Sequence, residues 1–521
     1  MDVIQVVDEG TFWNPITYAV FLPLLGALVL LLVPRTQEQL QKGVALATTL
    51  ATAAIGVFIL TDFDYDRAGD LQYYANLGWI EVINSRYIVG LDGISLPLFA
   101  LTMLVVPLCI IYSWNHVPDP GNVKAFFALL LVLETGMLGS FVAQDLILFF
   151  VFFEVVLLPM YFLIGVWGGE QRQYASIKFF LFTLFGSALM IVAFLALYFL
   201  SDQVLVGGEM MHSFDMTLLP QLAATGVSST AALWIFGGMF IGFGIKVPMF
   251  PFHTWLPDAH TQAPTGGSVV LAGVLLKMGT YGFVRIAMPM LPEAWRDWAW
   301  VIIVVGIVSV VYGALVALAQ TNVKRMVAYT SVNHMGYIVL AVGAAGLIAD
   351  DTTQARSIAV TGAVTQMVSH GLITGALFLL AGVLQDRAAT YDMDSYGGLA
   401  GPAPRFAAFF AVGAFASLGL PGLSGFIAEF QIFTGSIAAA PVTAIALVGI
   451  LLTAALFLRA LQRIFTGETR GRSVGFTDLR AAEVWSVGPL LVLSLLIGVF
   501  PRPLLAVIEP AAEVAVELVG R

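Results

Sequence analysis

The chain has 521 residues, 59% of them hydrophobic and only 11% charged, with a formal net charge of −10. A soluble domain carries roughly 25% charged residues, so this composition excludes a soluble globular fold, and the acidic balance argues against a nucleic-acid partner. The single cysteine, Cys109, excludes an internal disulfide, a thiolate-ligated iron–sulfur cluster and a cysteine zinc site, and reads as a small apolar residue.

The N-terminal MDVIQVVDEGTF is acidic where a cleavable signal would be basic, so no signal peptide is expected. Fourteen apolar stretches follow, at 16–33, 43–60, 94–114, 124–142, 145–167, 177–200, 231–256, 266–290, 298–319, 326–348, 356–384, 404–436, 441–463 and 484–506. Each is long enough for the roughly 30 Å hydrocarbon core of a bilayer. The expected fold is an all-α polytopic membrane protein of about 14 transmembrane helices, with no strand region and hence no strand-borne dinucleotide motif. Of the 23 lysines and arginines, 14 fall at one face and seven at the other. The basic face is expected to be cytoplasmic, which puts both termini on the outer, periplasmic side of an inner membrane.

Taken in chain order, five charges lie inside these spans. Glu134 is in span four, Glu154 with the nearby Pro159 in span five, Lys246 in span seven, Lys277 in span eight and Glu429 in span twelve. A rise of about 1.5 Å per residue puts Glu134, Glu154 and Lys277 near the midplane. Ionisable groups at that depth are costly and mark ion or proton pathways. The plainer reading is a set of static ion pairs, but buried pairs contribute little net stability. Span seven ends GIKVPMFPF, so Pro248 and Pro251 follow Lys246; span twelve reads SLGLPGLSGFIAEF, so Pro421 and its flanking glycines precede Glu429. Such interruptions survive at membrane depth where they are buried or line a wet cavity. Matched interruptions suggest inverted repeats. The expected units are 1–123 with spans one to three, 124–290 and 298–463 as two five-helix repeats broken at helices 7 and 12, and 464–521 with a cytoplasmic loop, the last span and a short tail.

Between the breaks, PFHTWLPDAHTQAPT holds His253, Asp258 and His260. These are metal-ligand residue types, yet the segment falls at the cytoplasmic end of span seven and reads as a structured re-entry loop or as the lining of a proton inlet. Spans ten and eleven add His334 and His370 beside Ser331, Asn333, Thr365, Gln366 and Ser369. Histidine both accepts and donates near neutral pH, so the pair reads as a relay.

Four long motifs carry a resemblance. DLILFFVFFEVVLLPMYFLIGVWGG holds Glu154, GIKVPMFPFHTWLPDAHTQAPTGGSVVLAGVLLKMGTYG holds both lysines, SHGLITGALFLLAGVL holds His370, and LPGLSGFIAEF holds Glu429. Over roughly residues 90–465 the chain resembles the antiporter-like, proton-translocating membrane subunits of NADH:quinone oxidoreductase, respiratory complex I. The same superfamily includes subunits of multisubunit cation/proton antiporters and membrane-bound hydrogenases, which remain alternatives, as does a structural scaffold subunit. The resemblance implies that Glu154 and Lys246 form a coupling pair, that Lys277 is the central relay, and that Glu429 and Glu134 mark the M (chain 4) type. It implies a proton path from the inlet to Lys277, then through His334 and His370 to Glu429. It further implies no cofactor and no metal in this chain, with NADH, FMN, iron–sulfur clusters and quinone handled by partner subunits. The implied partners are antiporter-like neighbours on both sides, small membrane subunits and lipids.

Overall fold

A computed structural model describes residues 4–348 and 352–520; Arg521, one of the seven cations expected at the outer face, lies outside them. The helices in chain order are α1 (Pro15–Leu32), α2 (Glu38–Asp62), α3 (Ser95–Ser113), α4 (Val123–Val142), α5 (Leu146–Val155), α6 (Leu157–Trp167), α7 (Arg172–Leu200), α8 (Leu219–Gly226), α9 (Ser229–Lys246), α10 (Trp255–Gln262), α11 (Thr265–Met290), α12 (Pro292–Ala319), α13 (Val323–Ala344), α14 (Thr353–Ala388), α15 (Pro404–Ser417), α16 (Ser424–Ala439), α17 (Leu447–Phe465), α18 (Ala481–Val499) and α19 (Arg502–Gly520). Among the described residues, 12 helices are long and apolar enough to cross a membrane. The other two expected spans are α13, which carries Lys324, Arg325, Asn333 and His334, and the broken pair α15–α16; neither qualifies on length and apolarity.

The 36-residue α14 is the axis of the second half and packs against α13, α16, α18 and α19. Both α14 and α11 are almost wholly enclosed by other helices. That enclosure gives polar side chains a place to sit away from lipid.

Interruptions position the charges. The fifth span is two helices meeting at Val156, just past Glu154. Pro159 has no N–H for the Val155 carbonyl, which loosens the turn. Span eight, α11, contains two wide π turns, Leu271–Leu275 and Phe283–Ala287, on either side of Lys277. α9 stops at Lys246, and the chain turns through Phe252–Thr254 into α10. α15 stops at Ser417, and Gly419 (φ +75°) and Gly422 (φ +94°) carry the chain to α16. Both take left-handed backbone that only glycine adopts freely.

Two expectations need correction. The chain does contain strands, at the face where α1 begins. β1 is Gln5–Val6, β2 Gln72–Ile80, β3 Ser85–Leu91, β4 Val204–Val206 and β5 Glu209–Met211. β2 and β3 form an antiparallel hairpin with Leu77 opposite Tyr87, turned by Asn84 in left-handed backbone. Its aromatic and β-branched residues favour strand, a signal lost when loops are read only as gaps between spans. Asp145 ties this hairpin to α5: it caps Ile147 and Leu148, and accepts from the Arg86 N–H at 2.9 Å and Ser85 Oγ at 3.1 Å. The small sheet runs β1–β4–β5. The second correction concerns the C-terminus, which is no short tail. α19 buries Val507, Ile508, Ala511, Ala512, Ala515, Val516 and Val519, a helical stripe. It lies against α12 and α14, where Arg296 donates to the Val519 carbonyl at 3.1 Å and Arg356 to the Val516 carbonyl at 3.2 Å.

Candidate functional site

Lys277 is fully buried at the centre of α11. In the π turn before it, the Leu276 N–H reaches back to the Leu271 carbonyl. The Ala272 carbonyl is thereby left for the Lys277 ammonium, which donates to it. The ammonium also donates to His370 Nδ1 on α14, 2.6 Å away. π turns recur at functional sites because they free backbone groups in this way.

The line continues through α13. The His370 and His334 rings meet edge to face with centroids 5.5 Å apart. His334 Nε2 donates to the Ser417 carbonyl at 3.1 Å. That carbonyl ends α15, and the residue that would have satisfied it in an unbroken helix is Pro421, which has no N–H. The break thus presents an acceptor to a histidine of another span. Glu429, 5% exposed, sits beyond it in α16, with its carboxylate against Gly419. A cavity of about 520 Å³ lined by Gly419, Phe426, Glu429, Phe430 and Phe433 opens beside it. Tyr337, buried against Phe433 at 5.4 Å, feels the Glu429 charge. The order along the line is therefore Lys277, His370, His334, Glu429. The two histidines exchange the places expected for them.

The expected Glu154–Lys246 pair is not a direct ion pair. Ser187 donates to the half-buried Glu154, while Lys246 places its ammonium 4.7 Å from the centre of the Phe153 ring. Among the described residues no contact within 4.0 Å joins the two charges, although each still feels the other. Ser187 was missed because only packing of α7 on α5 brings it there. Glu134 is wholly buried near Cys109, and neither carboxylate oxygen has a hydrogen-bond partner among the described residues. Among the described residues nothing joins it to the Lys277 line.

His253, Asp258 and His260 do not converge. Asp258 pairs with Lys178 at 2.7 Å, His253 packs on Phe250 and Tyr312, and His260 stacks on Phe378 with centroids 4.5 Å apart. Among the described residues no three His, Cys, Asp or Glu side chains are grouped to hold a metal. Of the polar residues beside the histidines, Ser369 enters a hydroxyl ladder, with Ser424 2.8 Å from it and Ser494 2.8 Å further on. Asn333 donates to the Val310 carbonyl and Thr365 to its own helix, so both are occupied structurally.

Residues 143–455 match the family model described as NADH:quinone oxidoreductase/Mrp antiporter, TM, and residues 71–140 match NADH-ubiquinone oxidoreductase chain 4, amino terminus. NADH-quinone oxidoreductase subunit M of Rickettsia prowazekii is 37% identical over 503 residues, covering 96% of this chain and 98% of that one. The subunit M of Rhodobacter capsulatus is 40% identical over 504 residues, covering 96% and 95%. A chain of respiratory complex I from Thermus thermophilus with bound NADH superposes with a TM-score of 0.85 at 32% identity, covering 97% of this chain and 100% of that one.

Proposed function

The chain belongs to the NADH:quinone oxidoreductase/Mrp antiporter transmembrane family as an M-type (chain 4) member, and from that membership we propose that it carries protons along the buried line Lys277–His370–His334–Glu429. It is a multi-pass membrane subunit of an NADH:quinone oxidoreductase, associated with other membrane-arm subunits. The observation that supports the relay most directly is the 2.6 Å contact between the Lys277 ammonium and His370 Nδ1 in a fully buried setting. An ammonium donating to an imidazole is poised to hand over a proton, and the second imidazole carries it to the break of span twelve. In this reading Glu154 and Lys246 couple the line to a neighbouring antiporter-like subunit. A change of charge at that neighbour would draw Lys246 off the Phe153 ring and toward or away from Glu154, altering the field at Lys277.

The chain's part is proton movement only. With one cysteine it cannot itself ligate a cluster. FMN, iron–sulfur clusters, NADH and quinone belong to partner subunits in this assignment. The basic face is assigned to the cytoplasm, and the hairpin and α19 to the outer side.

The test is purification of the native complex with its subunits identified, followed by NADH-driven proton uptake into membrane vesicles against quinone reduction in the same preparation. Lys277→Met is expected to assemble and to lose pumping. Full pumping by assembled Lys277→Met overturns the relay. Sodium-dependent proton exchange without NADH would instead place the chain in the antiporter branch.

A further inference from the structure

At the basic face the ends of α3, α14 and α18 meet in a cluster that the relay does not use. His116, in the turn after α3, has Nε2 3.4 Å from Asp386 Oδ2 and 3.5 Å from Glu483 Oε1. Its Nδ1 donates to the Tyr112 carbonyl at 2.6 Å, which leaves Nε2 as the titrating nitrogen. The Tyr112 hydroxyl donates to Asp386 Oδ2 at 2.8 Å, and its ring stacks on the imidazole at 4.6 Å. Arg387 holds the other side of Glu483 at 2.6 Å. The Asp386 side chain is 32% exposed, His116 11% and Glu483 not at all, so the cluster runs from water into the protein.

Buried groups lead inward from it. The Tyr112 hydroxyl and Thr265 crowd the backbone of α14 at Gly382, where any side chain would strike both. Lys324, 1% exposed, feels the Asp386 charge, donates to the Ala263 carbonyl at 2.6 Å and lies 5.2 Å from the Tyr391 ring centre. His260 is fully buried, and neither ring nitrogen has a hydrogen-bond partner among the described residues. The Ala263 carbonyl that Lys324 holds is three residues after His260, and the Phe378 ring on which His260 stacks is about two turns of α14 from His370. A buried imidazole with both nitrogens unengaged is costly. The alternative inlet at the span-seven break is poorer in free groups: Asp258 is taken by Lys178, and His253 is wedged against aromatic rings.

We propose that the His116–Asp386–Glu483 cluster is the proton-collecting mouth of this subunit, and that Lys324 and His260 pass its protons to Lys277. The assignment rests on the relay reading above. Each step is a proton exchange: the acceptor gains the proton that the donor loses, and no electrons move. Asp386 and His116 would gather protons at the surface, as an exposed carboxylate beside an imidazole does, while the Arg387–Glu483 pair holds the cluster in place.

The experiment uses the intact complex in vesicles and measures NADH-driven proton uptake across a pH series on the basic side. Asp386→Asn and His116→Gln are expected to lower pumping on the order of tenfold at about pH 8 and to approach wild type near pH 6, where bulk protons replace the collector. Lys324→Met is expected to lose pumping at every pH, and Asp258→Asn to behave as wild type. Lys277→Met run alongside separates the two readings. If Lys277→Met abolishes pumping while Asp386→Asn, His116→Gln and Lys324→Met all pump normally throughout the series, the mouth is wrong and the relay stands. If Lys277→Met pumps normally, the relay itself fails. A loss in both Asp386→Asn and His116→Gln that is equal at all pH values marks a structural role and overturns the proposal.

Discussion

The Glu429 carboxylate folds back onto Gly419, the left-handed glycine of its own broken span, so closely that a Cβ at 419 would strike it. Gly419 stands two residues before Pro421, as Lys246 stands two residues before Pro248. In the first break the charge hangs on that position. In the second the position is empty, and a carboxylate from the following half-helix fills the space. The two interruptions therefore present opposite charges by different routes.

This relationship has a direct test with a built-in control. Gly419→Ala and Gly422→Ala both force a side chain into left-handed backbone, and each should cost about 1 kcal/mol of stability. Only Gly419→Ala also displaces the Glu429 carboxylate, because nothing lies within 4 Å of a Cβ at 422. Proton pumping should fall in Gly419→Ala and persist in Gly422→Ala, with assembly followed by native electrophoresis.

Glu429 itself should be sensitive to losing its proton rather than its shape. Glu429→Gln keeps the volume and should abolish most pumping. Glu429→Lys should retain more, since an ionisable group still reaches the break. The measurement is proton uptake per quinone reduced; equal pumping by wild type and Glu429→Gln would leave Glu429 as a packing charge.

At Lys277 the decisive substitution is arginine. Arginine stays charged and cannot release its proton in a protein. If the 2.6 Å contact with His370 is a transfer step, Lys277→Arg should assemble and pump no better than Lys277→Met. Retained pumping would reduce Lys277 to a fixed charge.

Glu154 and Ser187 form a pair that sequence spacing does not reveal. Glu154→Ala should remove most pumping and coupled turnover while the complex assembles. Ser187→Ala leaves the carboxylate without its donor and should lower turnover tenfold or more without abolishing it, a net hydrogen bond to a charged group being worth about 1.5–3 kcal/mol and each 1.36 kcal/mol a factor of ten. Turnover in Ser187→Ala indistinguishable from wild type would show that the contact does not tune the glutamate.

His116 makes local stability depend on pH. Burial alone would push its imidazole down, but the Glu483 and Asp386 carboxylates and the Tyr112 carbonyl outweigh burial and hold it above the ordinary value of 6.5. With the folded pKa raised, the stabilisation is complete below 6.5 and is lost as pH rises through the folded value. Hydrogen-exchange protection of residues 113–118, corrected for intrinsic rates, should fall over that window in wild type and stay flat in His116→Gln.

Much of the site was legible in the sequence for a simple reason. A charge or a proline inside an apolar run is conspicuous, because lipid-facing and core positions otherwise exclude both. Glu134, Glu154, Lys246, Lys277, His334, His370 and Glu429 all stood out that way, as did the interruptions around Pro248 and Pro421. The β2–β3 hairpin and α19 did not, since a reading tuned to long apolar runs passes over short amphipathic elements at the surface. The π turns of α11 leave no local mark either, because each widens the helix by one residue without a proline.

Hydrocarbon tolerates ionisable groups only where protein encloses them, so the order of amino acids already specifies a polytopic helical membrane protein with such groups at depth. Which of these groups meet depends on how the spans pack. Lys277 and His370 are on different spans, as are His334 and the Ser417 carbonyl, and Ser187 reaches Glu154 from α7. The same holds for His116, Asp386 and Glu483, three ordinary loop and helix-end residues until α3, α14 and α18 meet. A hydrogen bond forms within about 3 Å, and helix packing, which no single span encodes, sets which side chains come that close.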